Sequence, residues 1–357
     1  MSSMIGTNLR LSLFGQSRGP AVGIVMDGFP AGMEINTEAL RALLARRSPG
    51  TGPLVSPRRE ADEPEILSGV LNGHTTGQPL CVVIRNTDPG EGSGPLDLPR
   101  PSHADLPAHI RYHGAEDYRG GGHVSGRLTA PLVFAGGLCM QYLEEHGIGI
   151  YAHIARLGSL ADDPLEHARP EDLARLKTMR LPVLRSGLDT DMEKAVLNAA
   201  DAGDSVGGEI ECTVTGLPAG IGEPFFDSIE STLSRLLFSV PAVKGVSFGE
   251  GFGFAGMTGL ESNDPWVLRD GKIVPETNHA GGVLGGISTG APLIFSCCVR
   301  ATPSIRLPQK TVSLRSGEET VMTLSGRNDP CILPRAVPVI EAVAALGILD
   351  LFLAPRP

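Results

Sequence analysis

Residues 117–131, DYRGGGHVSGRLTAP, hold the densest set of groups able to do chemistry. Gly120, Gly121 and Gly122 leave backbone N–H groups uncovered, with Arg119, His123, Ser125 and Arg127 around them. A helix is expected to begin next. Uncovered amides at a helix start, with cations beside them, suit an anion such as phosphate. The same residues also fit a tight turn whose arginines face solvent.

Other candidate groups stand elsewhere. Gly15-Gln16-Ser17-Arg18-Gly19 has the G-x-S-x-G pattern of a serine-hydrolase nucleophile elbow. An elbow needs a strand, a sharp turn and then a helix. Here Ala21 to Met26 favour a strand and Asp27-Gly28 a turn. The expectation is strand, glycine-flanked loop, strand, which argues against Ser17 as a nucleophile. The glycines of NHAGGVLGGISTG (278–290) resemble a dinucleotide fingerprint only loosely, because no strand leads in and no helix clearly follows. They read as a surface that a flat ligand or another backbone can approach. In GRNDPC (326–331), Arg327 and Asp329 precede an apolar helix that also holds Arg335. Taken alone, Asp329 reads as a cap or turn residue. Arg46 and Arg47 close a helix, where cations are ordinary. His103 alone would be a structural or solvated loop histidine.

The elements that must position these groups are legible. Helical patterns cover NTEALRALLARR, TAPLVFAGGLCMQYLEEHG, DTDMEKAVLNAADAGD, DSIESTLSRLLFSV and RAVPVIEAVAALGILDLFLA; the last is apolar nearly all round and should be buried. Strand-like runs lie at 80–85, 148–160, 207–217, 242–249 and 292–301, so the class is α plus β. Segments 48–65, 86–108 and 262–282 read as long loops that carry function. No composition break marks a boundary, and one domain over 1–357 is expected.

Bulk properties narrow the field. The 357 residues carry a formal net charge of −10, which disfavours nucleic acid as a partner. Neither a signal-peptide pattern nor an apolar run of membrane-spanning length is present, and a soluble, cytoplasmic protein is expected. The six cysteines lack C-x-x-C spacing and should be reduced and buried. The nine histidines lack metal-ligand spacing, so no metal is expected.

Taken together and in order, the blocks FGQSRGPAVGIVMDGFPAG, LARRSPG, PRREADEPEILSGVLNGHTTGQPL, IRNTDP, RPSHAD, DYRGGGHVSGRLTAP, PAVKGVSFG, NHAGGVLGGISTG and GRNDPC…PRAVPVIEAVAAL resemble the chorismate synthases, from about residue 6 to 354. The resemblance implies an α/β fold of antiparallel sheets sandwiched by helices, assembled as a homotetramer. It implies a lyase of the shikimate pathway, which makes aromatic amino acids. 5-Enolpyruvylshikimate 3-phosphate loses phosphate and a ring proton to give chorismate. Reduced FMN is required although there is no net redox change, and NADPH serves some members as reductant. By the same resemblance, Ser17, Arg46, Arg47, Arg127 and Arg335 hold the substrate. FMN meets His123, Val124, Ser125, Ala242, Gly285, Arg300, Ala301, Thr302, Pro303, Ser304 and Arg327. His103 gives a proton to the reduced flavin, and Asp329 assists proton removal at its N5.

Three positions depart from the pattern. The family has a catalytic histidine, which protonates or binds the departing phosphate, where this chain has Arg18. Asn328 stands where histidine is usual, and Pro53 where some members have arginine. An arginine cannot give up a proton near neutrality, its pKa exceeding about 12. Arg18 is therefore either a fixed cation that stabilises the leaving phosphate, or a disabling change in an impaired FMN- and anion-binding relative.

Overall fold

A computed structural model describes residues 3–49, 54, 60–88, 96–324 and 329–355. Two antiparallel five-stranded sheets carry the architecture. The first runs in the order Met4–Ile5, Arg10–Gly15, Ala21–Asp27, Leu80–Arg85, Pro64–Ser68. The second runs Val243–Phe248, Leu293–Val299, Gly208–Thr215, Gly149–Leu157, Leu160–Ala161. The loop Gln16 to Pro20 joins two paired strands of the first sheet, so the strand–loop–strand reading holds.

Helices Thr129–Glu145 and Leu333–Phe352 lie between the sheets. The first touches Ala21–Asp27 and Leu80–Arg85 on one side and Gly149–Leu157 on the other. The second rests on Gly149–Leu157 and Gly208–Thr215. The α plus β class with antiparallel sheets is as expected, and these two helices are enclosed between the sheets. The physical reason is their composition: residues 336–350 of the terminal helix are all buried, leaving it no polar face for water. The two helices approach closely because Gly136 has no side chain. A Cβ there would lie 2.3 Å from the Ala342 carbonyl oxygen.

Two buried acids on the terminal helix tie distant segments together. Asp350 accepts backbone N–H bonds from Thr7, Asn8 and Leu9, the last at 2.8 Å. Glu341 accepts from the Arg46 guanidinium at 2.7 Å and from the Ala152 N–H at 3.1 Å. Helix Thr37–Arg47, capped by the Asn36 side chain, carries Arg46 and Arg47 in its last turn.

The long loops differ from expectation. Segment 86–108 ends in helix Asp105–Arg111, which buries no residue and so shows no apolar periodicity. Segment 262–282 folds as the hairpin Trp266–Arg269 and Lys272–Pro275. Segment 48–65 falls partly outside the described residues and enters a sheet strand at Pro64. Of the cysteines, Cys298 is exposed and Cys81 half-buried, because sheet strands turn alternate residues outward. No helix among the described residues is long and apolar enough to cross a membrane.

One buried charge cluster belongs to the fold. The His153 ring bonds Asp162 through Nδ1 and Glu211 through Nε2, each at 2.9 Å. Burial opposes charge on this imidazole, but the bonds and charges of the two carboxylates outweigh it and raise its pKa. A raised histidine stabilises fully below its unfolded value near 6.5 and loses that contribution as pH rises through the folded value. Thermal melts of the natural protein and His153→Gln should therefore differ most below about pH 6.5 and converge at higher pH. A difference independent of pH would contradict a charged imidazole.

Candidate active site

A cavity of about 790 Å³ opens where the first sheet, the starts of both enclosed helices and the edge of the second sheet meet. Basic side chains dominate its wall: Arg18, Arg47, Arg100, Arg127, Lys244, Arg300 and Arg335, against the acids Glu60, Asp105 and Asp329. A chain of net charge −10 thus concentrates positive charge at one place, as a polyanionic ligand requires.

Asp62 organises the centre of this wall. The Arg47 Nη1 donates to its Oδ2 at 2.6 Å, Ser48 Oγ donates to the same oxygen at 2.6 Å, and Arg127 Nη1 donates to Oδ1. Burial alone would raise the Asp62 carboxyl, but the two guanidinium groups hold it below the usual carboxylate range. Burial pulls Arg47 down to about 10, a shift Asp62 resists and Arg335 and Arg127 reinforce, so it stays charged at neutral pH. The other nitrogens hold the forks in place as well, while each terminal nitrogen keeps a second N–H. Arg47 reaches Thr129 Oγ1 and the Gly126 carbonyl, and Arg127 reaches Asn86 Oδ1 and the Arg85 carbonyl. Arg335 donates to the Arg47 carbonyl at 2.9 Å and to Asp329 at 2.5 Å.

The glycine-rich segment works differently from its first reading. The amide of Gly121 donates to Ser17 Oγ and that of Gly122 to the Arg119 carbonyl, so these groups are engaged within the protein. Ser125 caps the Arg127 N–H, while Arg119 pairs with Asp117. The groups this wall presents to the cavity are guanidiniums rather than bare amides. Gly120 matters by its smallness. At φ 65°, a Cβ there would sit 3.0 Å from Ser17 Oγ and 3.1 Å from Arg18 Nε. The glycines of 278–290 form the hairpin Val283–Leu284 and Ile287–Ser288. They admit another backbone: a Cβ on Gly281 would lie 2.4 Å from the Gly249 nitrogen.

His103 faces the cavity with both ring nitrogens engaged. Nδ1 lies 2.9 Å from the Pro101 carbonyl, which can only accept, so Nδ1 carries the hydrogen. Nε2 lies 2.7 Å from Ser304 Oγ. Burial, then the nearby Arg100 and Arg300 charges, lower its pKa against the opposing pull of Pro101 and Asp105. Ser102 and Ala242, at the same wall, hold left-handed backbone at φ 58° and 77°, as does Asp62 at 53°. Such non-glycine conformations persist where surrounding structure over-determines them, commonly at active sites.

The wider comparisons agree with this geometry. The family model described as chorismate synthase matches residues 9–353. The chain belongs to the chorismate synthase family. It is 45% identical to the chorismate synthase of Thermococcus kodakarensis over 355 residues, covering 99% of this chain and 98% of that one. With that of Dehalococcoides mccartyi it shares 40% over 355 residues, covering 99% and 97%. A crystal structure of chorismate synthase superposes with a TM-score of 0.77 at 25% identity, covering 98% of this chain and 93% of that one.

Of the residues that the family resemblance singles out, Ser17, Arg18, Arg47, His103, Arg127, Asp329 and Arg335 line the cavity. So do Val124, Ser125, Ala242, Arg300, Thr302, Pro303 and Ser304. Four are placed elsewhere. Arg46 reaches Glu341 in the core. The His123 ring is held by Ser3 Oγ and the Gly15 carbonyl, facing the first sheet. Ala301 does not line the wall, and Gly285 sits in the 283–288 hairpin. Arg327, Asn328 and Pro53 lie outside the described residues. Motif reading missed Glu60, Asp62, Arg100 and Lys244. For Glu60 and Asp62 the available signal was the dense charge of PRREADEPE, which carries no periodicity, while Arg100 and Lys244 stand in RPSHAD and PAVKGVSFG.

The lowered His103 yields a direct check. In the ligand-free protein its imidazole should titrate below the ordinary 6.5 by NMR. Binding of an anion against Arg100 and Arg300 should raise it, because the anion offsets their field. A value above 6.5 in the free protein would contradict this account.

Proposed function

We propose that this chain is a chorismate synthase, catalysing the anti-1,4-elimination of phosphate from 5-enolpyruvylshikimate 3-phosphate. The observation that carries the reading is the single cavity wall on which family residues from 17 to 335 converge with an excess of basic side chains. The substrate presents two carboxylates and a phosphate. Arg47, Arg127 and Arg335 bind these anions, and guanidinium forks give carboxylate and phosphate a fixed orientation.

The cavity also fits a flavin mononucleotide. The Thr302 Oγ1 is buried at the wall without a hydrogen-bond partner, and Arg300, Lys244 and Ser304 lie near it in the chain or across the paired strands. Reduced FMN, when bound, supplies an electron-rich ring beside the breaking C–O bond and a nitrogen to take up the ring proton. Ala242, Arg300, Thr302, Pro303 and Ser304 hold it. His103 exchanges the proton at its Nε2, and Asp329, fixed by Arg335, assists its removal. Arg18 faces the leaving phosphate as a fixed cation, stabilising developing charge without donating a proton.

We read the chain as one cytoplasmic domain that assembles with copies of itself, as a homotetramer. Exposed apolar side chains support the assembly: Phe225, Phe226, Phe252, Leu260, Trp266, Leu268 and Ile273. Family-wide identity over nearly the full chain, with the cavity arginines, His103 and Asp329 in place, favours an active enzyme over an impaired binder.

The test is anaerobic formation of chorismate and phosphate from 5-enolpyruvylshikimate 3-phosphate with chemically reduced FMN; a parallel reaction with oxidised FMN and NADPH reports whether the chain reduces its own flavin. Turnover is expected in the natural protein, and Arg18→Ala should slow it by about 10²–10³-fold. Phosphate release by Arg18→His but not by the natural protein would sink the fixed-cation role.

A further inference from the structure

Among the described residues, Glu60 is the one acid on the cavity wall whose charge partners do not explain it. Asp105 is gripped by Arg100 at 2.7 and 2.8 Å, and Asp329 by Arg335 at 2.5 Å. Glu60 is only 5% exposed, and its Oε1 is buried with no hydrogen-bond partner. Its Oε2 lies 3.6 Å from Arg127 Nε, beyond a good hydrogen bond. Arg127 does not hydrogen-bond Glu60: its Nε donates to Asn86, its Nη1 to Asp62 and its Nη2 to the Arg85 carbonyl. A carboxylate placed among anion-binding arginines weakens them unless it recognises something they cannot.

We infer that Glu60 accepts a hydrogen bond from the free ring hydroxyl of the substrate, making it a specificity-determining residue. The inference rests on the proposed reading that Arg47 and Arg127 mark the substrate end of the cavity. On that ligand, both carboxylates and the phosphate are acceptors matched by guanidinium groups. The ring hydroxyl beside the phosphate is the substrate's neutral donor, and only an acceptor can take its hydrogen. Glu60 Oε1 is such an acceptor, already stripped of partners. A ligand that fills the cavity without supplying a donor leaves this buried carboxylate unsatisfied, and sites built this way reject analogues lacking the hydroxyl. Glu60 therefore lets the enzyme tell its substrate from other cyclic anions of similar charge.

The experiment is equilibrium binding of 5-enolpyruvylshikimate 3-phosphate and of its 4-deoxy analogue to the full chain loaded with oxidised FMN, where no turnover occurs. The natural protein should bind the deoxy analogue about 10- to 100-fold more weakly, the value of a hydrogen bond to a charged group. In Glu60→Ala the ratio should fall toward one, and in Glu60→Gln, which keeps an acceptor oxygen, to an intermediate value, with FMN affinity unchanged in both. A ratio near one in the natural protein overturns the inference, as does an unaltered ratio in the variants. Loss of FMN affinity with the ratio intact would assign the contact to a flavin N–H and overturn it equally. Should Glu60→Ala fail to fold, the natural protein and Glu60→Gln still decide. Substrate binding with a ratio of one would remove this inference and leave the proposed function standing; no binding of the substrate at all would remove both.

Discussion

The site depends on one buried carboxylate shared by two buried guanidinium groups. Asp62 takes Arg47 on one oxygen and Arg127 on the other, and through Arg47 the chain of contacts reaches Arg335 and Asp329. Breaking such a pair from one side typically costs about 3–5 kcal/mol, because it leaves charge buried without compensation. The arrangement solves a particular problem. Several like charges must face one cavity before any ligand arrives, and their mutual repulsion would drive flexible side chains apart. A carboxylate behind the cavity offsets that repulsion and fixes both forks, so the cost of orientation is met during folding rather than on binding.

The fold supplies the backing for this device. Arg47 projects from the last turn of helix Thr37–Arg47, and its neighbour Arg46 is locked to Glu341 in the enclosed terminal helix. Arg127 leads directly into helix Thr129–Glu145, which packs against that same helix. These cavity arginines are thus attached to the most deeply buried layer, where side chains move least. Arg18 approaches from a sheet loop, pressed against Gly120.

Much of this was legible in the sequence, and the failures have physical causes. The strand–loop–strand around Ser17 and the boundaries of Thr37–Arg47 followed from β-branched runs and capping, which are local signals. Family motifs located most of the cavity wall. What sequence could not give was direction. Arg46 and Arg47 are adjacent, so on a helix they point about 100° apart; one enters the core and the other the site. His123 sits in the richest motif, yet its ring turns toward Ser3 and Gly15. Asp62 and Glu60 lie in an irregular segment with no periodicity, and their importance arises from contacts with residues far away in the chain, Arg127 above all.

The central claim is that geometry imposed by Asp62, and not positive charge in bulk, makes the cavity bind its ligand. Substrate affinity of Asp62→Asn tests it most directly, because the two ideas predict opposite signs. The variant makes the site more cationic while releasing both forks. Preorganisation predicts that 5-enolpyruvylshikimate 3-phosphate binds at least about tenfold more weakly than to the natural protein. Equal or tighter binding would show that charge alone governs the site and would contradict the account.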